Sequence, residues 1–262
     1  KLRMLFRSCG FSEIETPTIE YFDVFASEEA VPQENMLKFF DQQGRILVLR
    51  PDITVPVARI TASKFKDAGY PLRFSYIGNV FRYNEYGRGR QNEFTQAGIE
   101  VLGVNTPESD AEVISIAIQA LKETGLENFQ IDIGQVEFFN GLMEETGLPE
   151  EDVSRVRTLI DRKDYVGLEE FLNRSMIDDN LKELISGLPG YFGSVDVMEK
   201  VKAFKLNKRS EDALESIRYV LDILQDFGYE RYVSVDLGML GARLMIPASF
   251  SGDLHTGWVS PF

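Results

Sequence analysis

Apolar and polar residues alternate along parts of this chain and follow a helical period along others. Residues 1–10 carry a helical pattern that ends at Gly10, and residues 11–21 form an extended stretch around Pro17. Alternation with period two is typical of strands. It predicts strands over residues 35–40, 45–50, 72–83 and 94–102, with a hairpin turn at 41–44.

Helical periodicity governs most of the rest. Pro51 opens a predicted helix whose inner stripe includes Ile53, Val57 and Ile60, and Thr106-Pro107 begins another that ends at Gly125. Short charged helical segments are then predicted at 138–146, 149–160, 165–174, 178–186 and 194–204, followed by a long amphipathic helix at 211–227. Two further strands are predicted at 129–133 and 232–237.

This order of elements predicts an α+β fold with a largely antiparallel sheet flanked by helices, because regular β-α-β alternation is missing. After residue 137 the sequence pattern changes to short, charged helical segments, which indicates a small helical insertion. We therefore predict a core in two parts, residues 1–137 and 207–262, interrupted by an insertion at 138–206.

Composition narrows the classes of function. The formal charge of −14 argues against tRNA or DNA as the main partner, since nucleic-acid binders carry a basic footprint. No apolar run approaches the roughly 20 residues of a membrane span, and a lone Cys9 fits a reducing cytoplasm. One cysteine and one histidine, His255 in an irregular tail, argue against a zinc site or a catalytic triad.

Nucleotide-binding motifs and targeting segments do not narrow the classes of function further. Neither a Walker-type nor a dinucleotide motif is present, and we expect no cofactor and no metal. The first residues read as an amphipathic helix already under way rather than as a signal peptide, so we expect the chain to begin inside a longer protein.

Candidate chemistry concentrates on the strand at 94–102. Period-two geometry places Gln96, Gly98 and Glu100 on one face, with Arg82 from the preceding strand projecting onto that face if the two strands form a hairpin. A carboxylate, an amide and a guanidinium around a bare glycine suit the floor of a pocket for a small zwitterionic ligand such as an amino acid. The alternative is a surface ion pair between Arg82 and Glu100.

Two further sets are open to both a functional and a structural interpretation. Asp52 and Thr54 precede or open the helix after Pro51, where they either contact a ligand or simply cap the helix. Arg88 and Arg90 flank Gly89 on a loop that could cover a phosphate or effector, or merely expose charge at a hairpin tip.

Several of these motifs resemble a known family. Residues 81–100 resemble motif 2 of class II aminoacyl-tRNA synthetases in the form found in histidyl-tRNA synthetases, and residues 10–17 resemble motif 1, the usual dimer element. The details are more similar to a paralogous family, the regulatory subunits of ATP phosphoribosyltransferase. Its Leu-Arg-Pro-Asp-x-Thr-x-Pro-x-Ala-Arg pattern stands at 49–59 and its Gly-Arg-Gln-x-Glu-Phe pattern at 89–94. Residues 132–139 and 161–168 are similar as well, so the resemblance reaches about residue 239.

The resemblance implies a class II synthetase-like fold and a pocket for L-histidine. By analogy, Asp52, Thr54 and Gln96 would hold the α-amino group, Glu100 would face the imidazole and Arg82 the carboxylate. It also implies a non-catalytic cytoplasmic subunit in histidine biosynthesis. Such a subunit would form a homodimer within a hetero-oligomer, support the short catalytic chain and mediate feedback by histidine.

Departures from the pattern keep other functions open. Motif 2 of a working synthetase has Arg-x-Glu, but here the third position is Asn84. After Met239 the tyrosine pair, the Gly-Gly-Arg-Tyr-Asp element and the motif 3 arginine of the relatives are missing. The alternatives are a histidyl-tRNA synthetase fragment or amino-acid adenylating enzyme, and a dimeric scaffold whose pocket is empty.

Overall fold

The structure is a computed structural model that describes residues 1–26, 31–83 and 91–240. These residues form two compact units, the first up to Asn105 and the second from Thr106 onward. The elements of the first unit are α1 (Leu2–Ser8), β1 (Ser12–Glu13), β2 (Ile19–Tyr21), β3 (Lys38–Phe40), β4 (Ile46–Leu49), α2 (Thr54–Lys64), β5 (Leu72–Phe81) and β6 (Glu93–Leu102).

The described strands of the first unit form two three-stranded sheets, in the orders β1-β5-β6 and β2-β4-β3. The long antiparallel pair of β5 and β6 runs in register from Leu72 opposite Leu102 to Phe81 opposite Glu93. Helix α2 packs Ile53, just before its first residue, and Val57 against buried side chains of β5. This helix therefore covers the face of the sheet on which the candidate polar residues lie.

The second unit is mainly helical. Its elements are α3 (Pro107–Thr124), β7 (Ile131–Ile133), α4 (Val136–Thr146), α5 (Glu150–Asp161), α6 (Tyr165–Arg174), α7 (Asp179–Gly187), β8 (Phe192–Gly193), α8 (Asp196–Val201), α9 (Lys208–Asp226) and β9 (Val233–Asp236). The strands form one small sheet in the order β7-β9-β8. Side chains from every helix of this unit contribute to a single hydrophobic core.

Helices α4 and α9 lie very close together in that core. The side chain of Asn207, just before α9, donates to the carbonyl of Gly141 at 2.6 Å, and Ser210 Oγ donates to the carbonyl of Phe138 at 3.1 Å. Asn207 also caps α9 by accepting from the backbone N–H of Ser210. The glycine at 141 allows this approach because any side chain there would overlap Ser210.

The predicted α+β class is confirmed, and α4 to α7 and α9 lie within three residues of their predicted bounds. The start of α2 is different, because Asp52 and Ile53 precede the helix and its first residue is Thr54 rather than Pro51. The predicted strand at 35–40 is shorter, since residues 33–35 form a turn of 3-10 helix. Strand β7 pairs with β9 in parallel, as β1 does with β5, so two of the three sheets in the described residues are mixed and the β2-β4-β3 sheet is antiparallel.

Helix α3 and strand β7 group with the helices of the second unit. The boundaries at residues 137 and 206 stay a prediction. Within the described ranges, the helices are too short or too polar to cross a membrane.

Candidate functional site

The candidate site lies in the first unit, where residues 50–54 run along β5 and lead into α2. This segment is held at two points. The buried Arg50 guanidinium donates to the carbonyls of Asn79 and Thr16 at 2.8 and 2.6 Å. Arg82 Nε donates to the carbonyl of Pro51 at 2.8 Å. Because both anchors are on neighbouring backbone, Asp52 and Thr54 have fixed positions over the sheet.

Asp52 connects the helix terminus to the sheet. Its Oδ1 accepts from the backbone N–H of Thr54, the first residue of α2, at 2.7 Å, although Asp52 precedes the N-cap position, which is Ile53. Its Oδ2 accepts from Gln96 Nε2 at 3.1 Å, across 44 residues of sequence. Thr54 has a different role, since its hydroxyl lies 3.4 Å from the Tyr76 hydroxyl. The Asp52 carboxylate therefore bonds both the first turn of α2 and the polar cluster.

Tyr76 links the members of the cluster to one another, and the sequence pattern alone does not single it out. Its hydroxyl donates to Glu100 Oε1 at 3.3 Å and accepts from Gln96 Nε2 at 3.4 Å. The register places Tyr76 opposite Gly98, and its ring lies directly over that glycine. The pairing of a large aromatic with a bare glycine was the signal, but it becomes visible only once the register is known.

This arrangement corrects the expected pocket floor. The face that carries Gln96, Gly98 and Glu100 is covered by Tyr76 and the start of α2, so both polar side chains are only 6% exposed. On the opposite face Ile99 is buried as expected, but Ala97 is exposed. The space above Gly98 belongs to a tyrosine side chain rather than to open solvent.

Glu100 is the group whose ionisation is most altered by the site. Burial raises the pKa of this carboxyl from 4.5 to about 7, and the neighbouring negative charge of Asp52 adds to that rise. Hydrogen bonds from Thr54 and Tyr76 act in the opposite direction and limit the pKa shift. Burial beside the same carboxylates raises the pKa of the Tyr76 hydroxyl well above 10, so this group remains a donor at neutral pH.

The cluster leaves acceptor atoms available. Gln96 donates through Nε2, whereas its buried Oε1 has no hydrogen-bond partner in the described residues. A buried carbonyl oxygen without a donor costs about 1–3 kcal/mol, which a ligand with N–H groups would relieve. Together with Asp52 and Glu100, this oxygen suits a ligand that is rich in donors or carries a positive charge.

Arg82 lies at the other end of the cluster. Register places it one residue beyond Phe81, whereas Glu100 pairs with Phe74, so about 26 Å of strand separate the two positions. The predicted Arg82–Glu100 ion pair is therefore wrong. The guanidinium instead approaches Asp52 Oδ2 at 4.0 Å and the ring centroid of Phe94 at 5.4 Å. Burial lowers the pKa of Arg82, and the charge of Asp52 partly offsets that effect.

Comparison with known proteins shows the family to which this chain belongs. The model of the histidyl-tRNA synthetase family matches residues 1–242. The chain belongs to this family. Over 241 residues it is also 61% identical to the ATP phosphoribosyltransferase regulatory subunit of Acetivibrio thermocellus. The match covers 92% of this chain and 58% of that relative, so the chain spans less than two thirds of its length.

Solved structures of the family have the same fold. An ATP phosphoribosyltransferase regulatory subunit/histidyl-tRNA synthetase from Bacillus halodurans C superposes with a TM-score of 0.87 at 31% identity, covering 96% of this chain and 67% of that one. The ATP phosphoribosyl transferase (HisG:HisZ) complex from Thermotoga maritima contains a chain of the same fold, with a TM-score of 0.68 at 20% identity over 95% and 85% of the two chains. The predicted resemblance is thereby confirmed.

Within this family chain, the structure joins four predicted residues in one cluster, Asp52, Thr54, Gln96 and Glu100, and brings the guanidinium of Arg82 to the Asp52 end of it. It adds Tyr76 at their centre. Arg88, Arg90, Asn84 and His255 lie outside the described residues, and the roles suggested for them stay predictions.

Proposed function

We propose that the protein is a non-catalytic regulatory subunit of ATP phosphoribosyltransferase in histidine biosynthesis. In this proposal it joins the short catalytic subunit, supports its activity and transmits feedback by L-histidine. The observation that carries the proposal is the 61% identity to a regulatory subunit over nearly the whole of this chain. An acidic protein with one cysteine and no spanning helix in its described part is consistent with work in the cytoplasm.

The polar cluster is the proposed histidine site. Its acceptors, Asp52 Oδ2 and Gln96 Oε1, suit the α-ammonium group, and Glu100 suits an imidazole N–H. Arg82 is bonded through Nε, and its Nη2 lies 4.0 Å from Asp52 Oδ2, too far for a hydrogen bond, so the terminal nitrogens suit the carboxylate. Feedback requires that histidine bind one conformation of the assembly more tightly than another.

Calorimetry with L-histidine tests the site. The unmodified protein should give a saturable heat, and Glu100→Gln should abolish it or weaken binding at least 10-fold, because the imidazole loses its charged acceptor. Glu93→Gln is the matched control, since Glu93 is an exposed residue on the same strand, bonded to Asn79. Absence of heat from the unmodified protein would favour the scaffold with an empty pocket.

Co-elution with the short catalytic subunit tests the partnership. A complex should form on size exclusion, and added histidine should change either its elution or the activity of the catalytic subunit. Failure to co-elute, with or without histidine, would remove the proposed function whatever the outcome of calorimetry.

An aminoacylation enzyme is the second candidate, and the family match itself favours considering it. Histidine-dependent exchange between ATP and pyrophosphate distinguishes the two functions. We expect no exchange above background, because Asn84 replaces the glutamate of the synthetase pattern. Exchange at a rate typical of an adenylating enzyme would overturn the non-catalytic assignment.

An exposed apolar sheet face supports the proposed homodimer. Strands β2, β4 and β3 align Tyr21, Leu47 and Phe39 in one cross-strand row, and Ile19 follows on the same face. Ile19 and Tyr21 are both more than two fifths exposed. A contiguous apolar face on a soluble protein is typical of an interface. Phe39→Glu should shift the dimer to monomer in sedimentation, whereas Val166→Glu, at an exposed site in the second unit, should leave it unchanged.

A further inference from the structure

The helical unit contains a groove of about 380 Å³ that the proposed histidine site does not use. It lies between the end of α4, the start of α7 and residues 204–205. Ile177, Leu181 and Phe204 give it an apolar floor. Met176 stands at its edge with a fully exposed side chain. A flexible thioether beside an apolar groove is typical of surfaces that receive another protein segment.

Charge is distributed very unevenly along the chain. Residues 106–240 contain 28 acidic and 14 basic side chains, whereas residues 1–105 contain 13 of each. The whole formal charge of −14 therefore belongs to the described part of the helical unit. A surface with this excess attracts cationic partners and repels polyanions.

The rim of the groove carries two carboxylates and one ammonium group, those of Glu145, Asp178 and Lys205. Glu145 lies in the last turn of α4, which contains no basic residue, so its carboxylate adds to the negative end of the helix dipole. Among the described residues Glu145 has no ion-pair partner, whereas Glu144 pairs with Arg209. Asp178 on the opposite rim caps α7, and Lys205 is the cation that lines the groove.

We propose that this groove docks a protein segment in which an apolar side chain is flanked by lysine or arginine. The apolar side chain would bury itself against Ile177, Leu181 and Phe204. A neighbouring cation would pair with Glu145 and the last carbonyls of α4, which no basic side chain of that turn approaches. The inference rests on the proposed function in taking the short catalytic subunit as the partner that supplies the segment.

Binding of the catalytic subunit to four forms of the protein tests the groove, with titrations at 50 and 300 mM salt. Glu145→Lys reverses the charge at that point of the rim, and Met176→Lys replaces the thioether on the apolar edge with a charge that repels a cationic segment; we expect each to weaken binding at least 10-fold at 50 mM salt. Asp222→Lys is the control, because it makes the same charge change at an exposed position on α9. It should alter affinity less than 3-fold. Matching thermal unfolding curves would establish that all four forms are folded.

The outcomes separate the groove from the function. If the unmodified protein binds the catalytic subunit and all three variants bind it as tightly, docking in the groove is wrong and the proposed function stands. If Asp222→Lys weakens binding as much as Glu145→Lys, general electrostatic attraction replaces the specific groove. If the unmodified protein does not bind at all, the proposed function and this occupant fall together.

Discussion

At the residue scale, Glu100 shows how burial converts an ordinary carboxyl into a group that titrates near neutrality. Only 6% of its surface is exposed, and water is replaced by two hydroxyl donors and a neighbouring carboxylate. The residues that supply this environment lie 24 and 46 positions away, at Tyr76 and Thr54. The chemical type of the residue was evident from the sequence, but its ionisation depends on what surrounds it.

This environment predicts a dependence of stability on pH. Since the pKa of Glu100 is about 7 in the folded state and near 4.5 when unfolded, the folded state binds more protons between those values. The free energy of unfolding should therefore fall as pH rises through this window, by roughly 3 kcal/mol in total from this group. Denaturant unfolding from pH 4.5 to 8 measures it without histidine.

Glu100→Gln should remove that part of the slope, and Glu93→Gln should retain it. Other carboxyls with raised pKa values, such as Asp110 and Asp236, contribute equally to all three proteins and cancel in the comparison. Parallel pH profiles for the unmodified protein and Glu100→Gln would show that Glu100 ionises normally.

Gly98 gives a second prediction at this scale. A Cβ at this position would overlap the Tyr76 hydroxyl and come within 2.9 Å of its Cε2. Gly98→Ala should destabilise the protein by about 1–3 kcal/mol, because the tyrosine must move and lose its bonds to Glu100 and Gln96. Gly69→Ala is the matched control, since its Cβ would meet nothing within 4 Å. Equal urea midpoints for the two variants would contradict the packing of Tyr76 over Gly98.

At the scale of elements, the helices of the second unit were the easiest to predict. Their apolar stripes repeat every three or four residues, and caps such as Asp164 and Asp178 fix their starts from local sequence. Strand β8 and the parallel pairing of β7 with β9 could not be predicted in this way. The paired segments lie about 100 residues apart for β7 and β9 and more than 40 apart for β8 and β9, and period-two patterning does not specify the partner.

The contact between α4 and α9 predicts a reversal of the usual helix rule. Alanine at 141 should favour the isolated helix by about 1 kcal/mol, since glycine has poor helix propensity. In the folded protein its Cβ would lie 2.8 Å from the backbone nitrogen of Ser210 and overlap that residue's hydroxyl. We expect Gly141→Ala to lower the unfolding free energy by about 2 kcal/mol or more, because the new methyl group would overpack the contact with Ser210. A stabilised variant in thermal unfolding would mean that the two helices lie further apart.

At the scale of the whole molecule, charge decides which partners are possible. The formal charge of −14 lies wholly in residues 106–240, where acidic side chains outnumber basic ones two to one, so a polyanion gains little from counterion release on binding. We therefore predict no complex with tRNA at 150 mM salt up to about 10 µM protein. A gel-shift assay with a working histidyl-tRNA synthetase as the positive control measures this. Tight, salt-sensitive binding of tRNA would instead support the synthetase alternative.

The sequence by itself determined which segments are helices, which polar residues share a strand face, and the family to which they belong. These properties follow from local periodicity, caps and short motifs, which a chain carries in its own order of residues. The tertiary structure decided that the Tyr76 side chain covers Gly98, that Arg82 approaches Asp52 rather than Glu100, and that Gln96 retains a buried acceptor. Each of these depends on register and on contacts across tens of residues, and no local pattern specifies them.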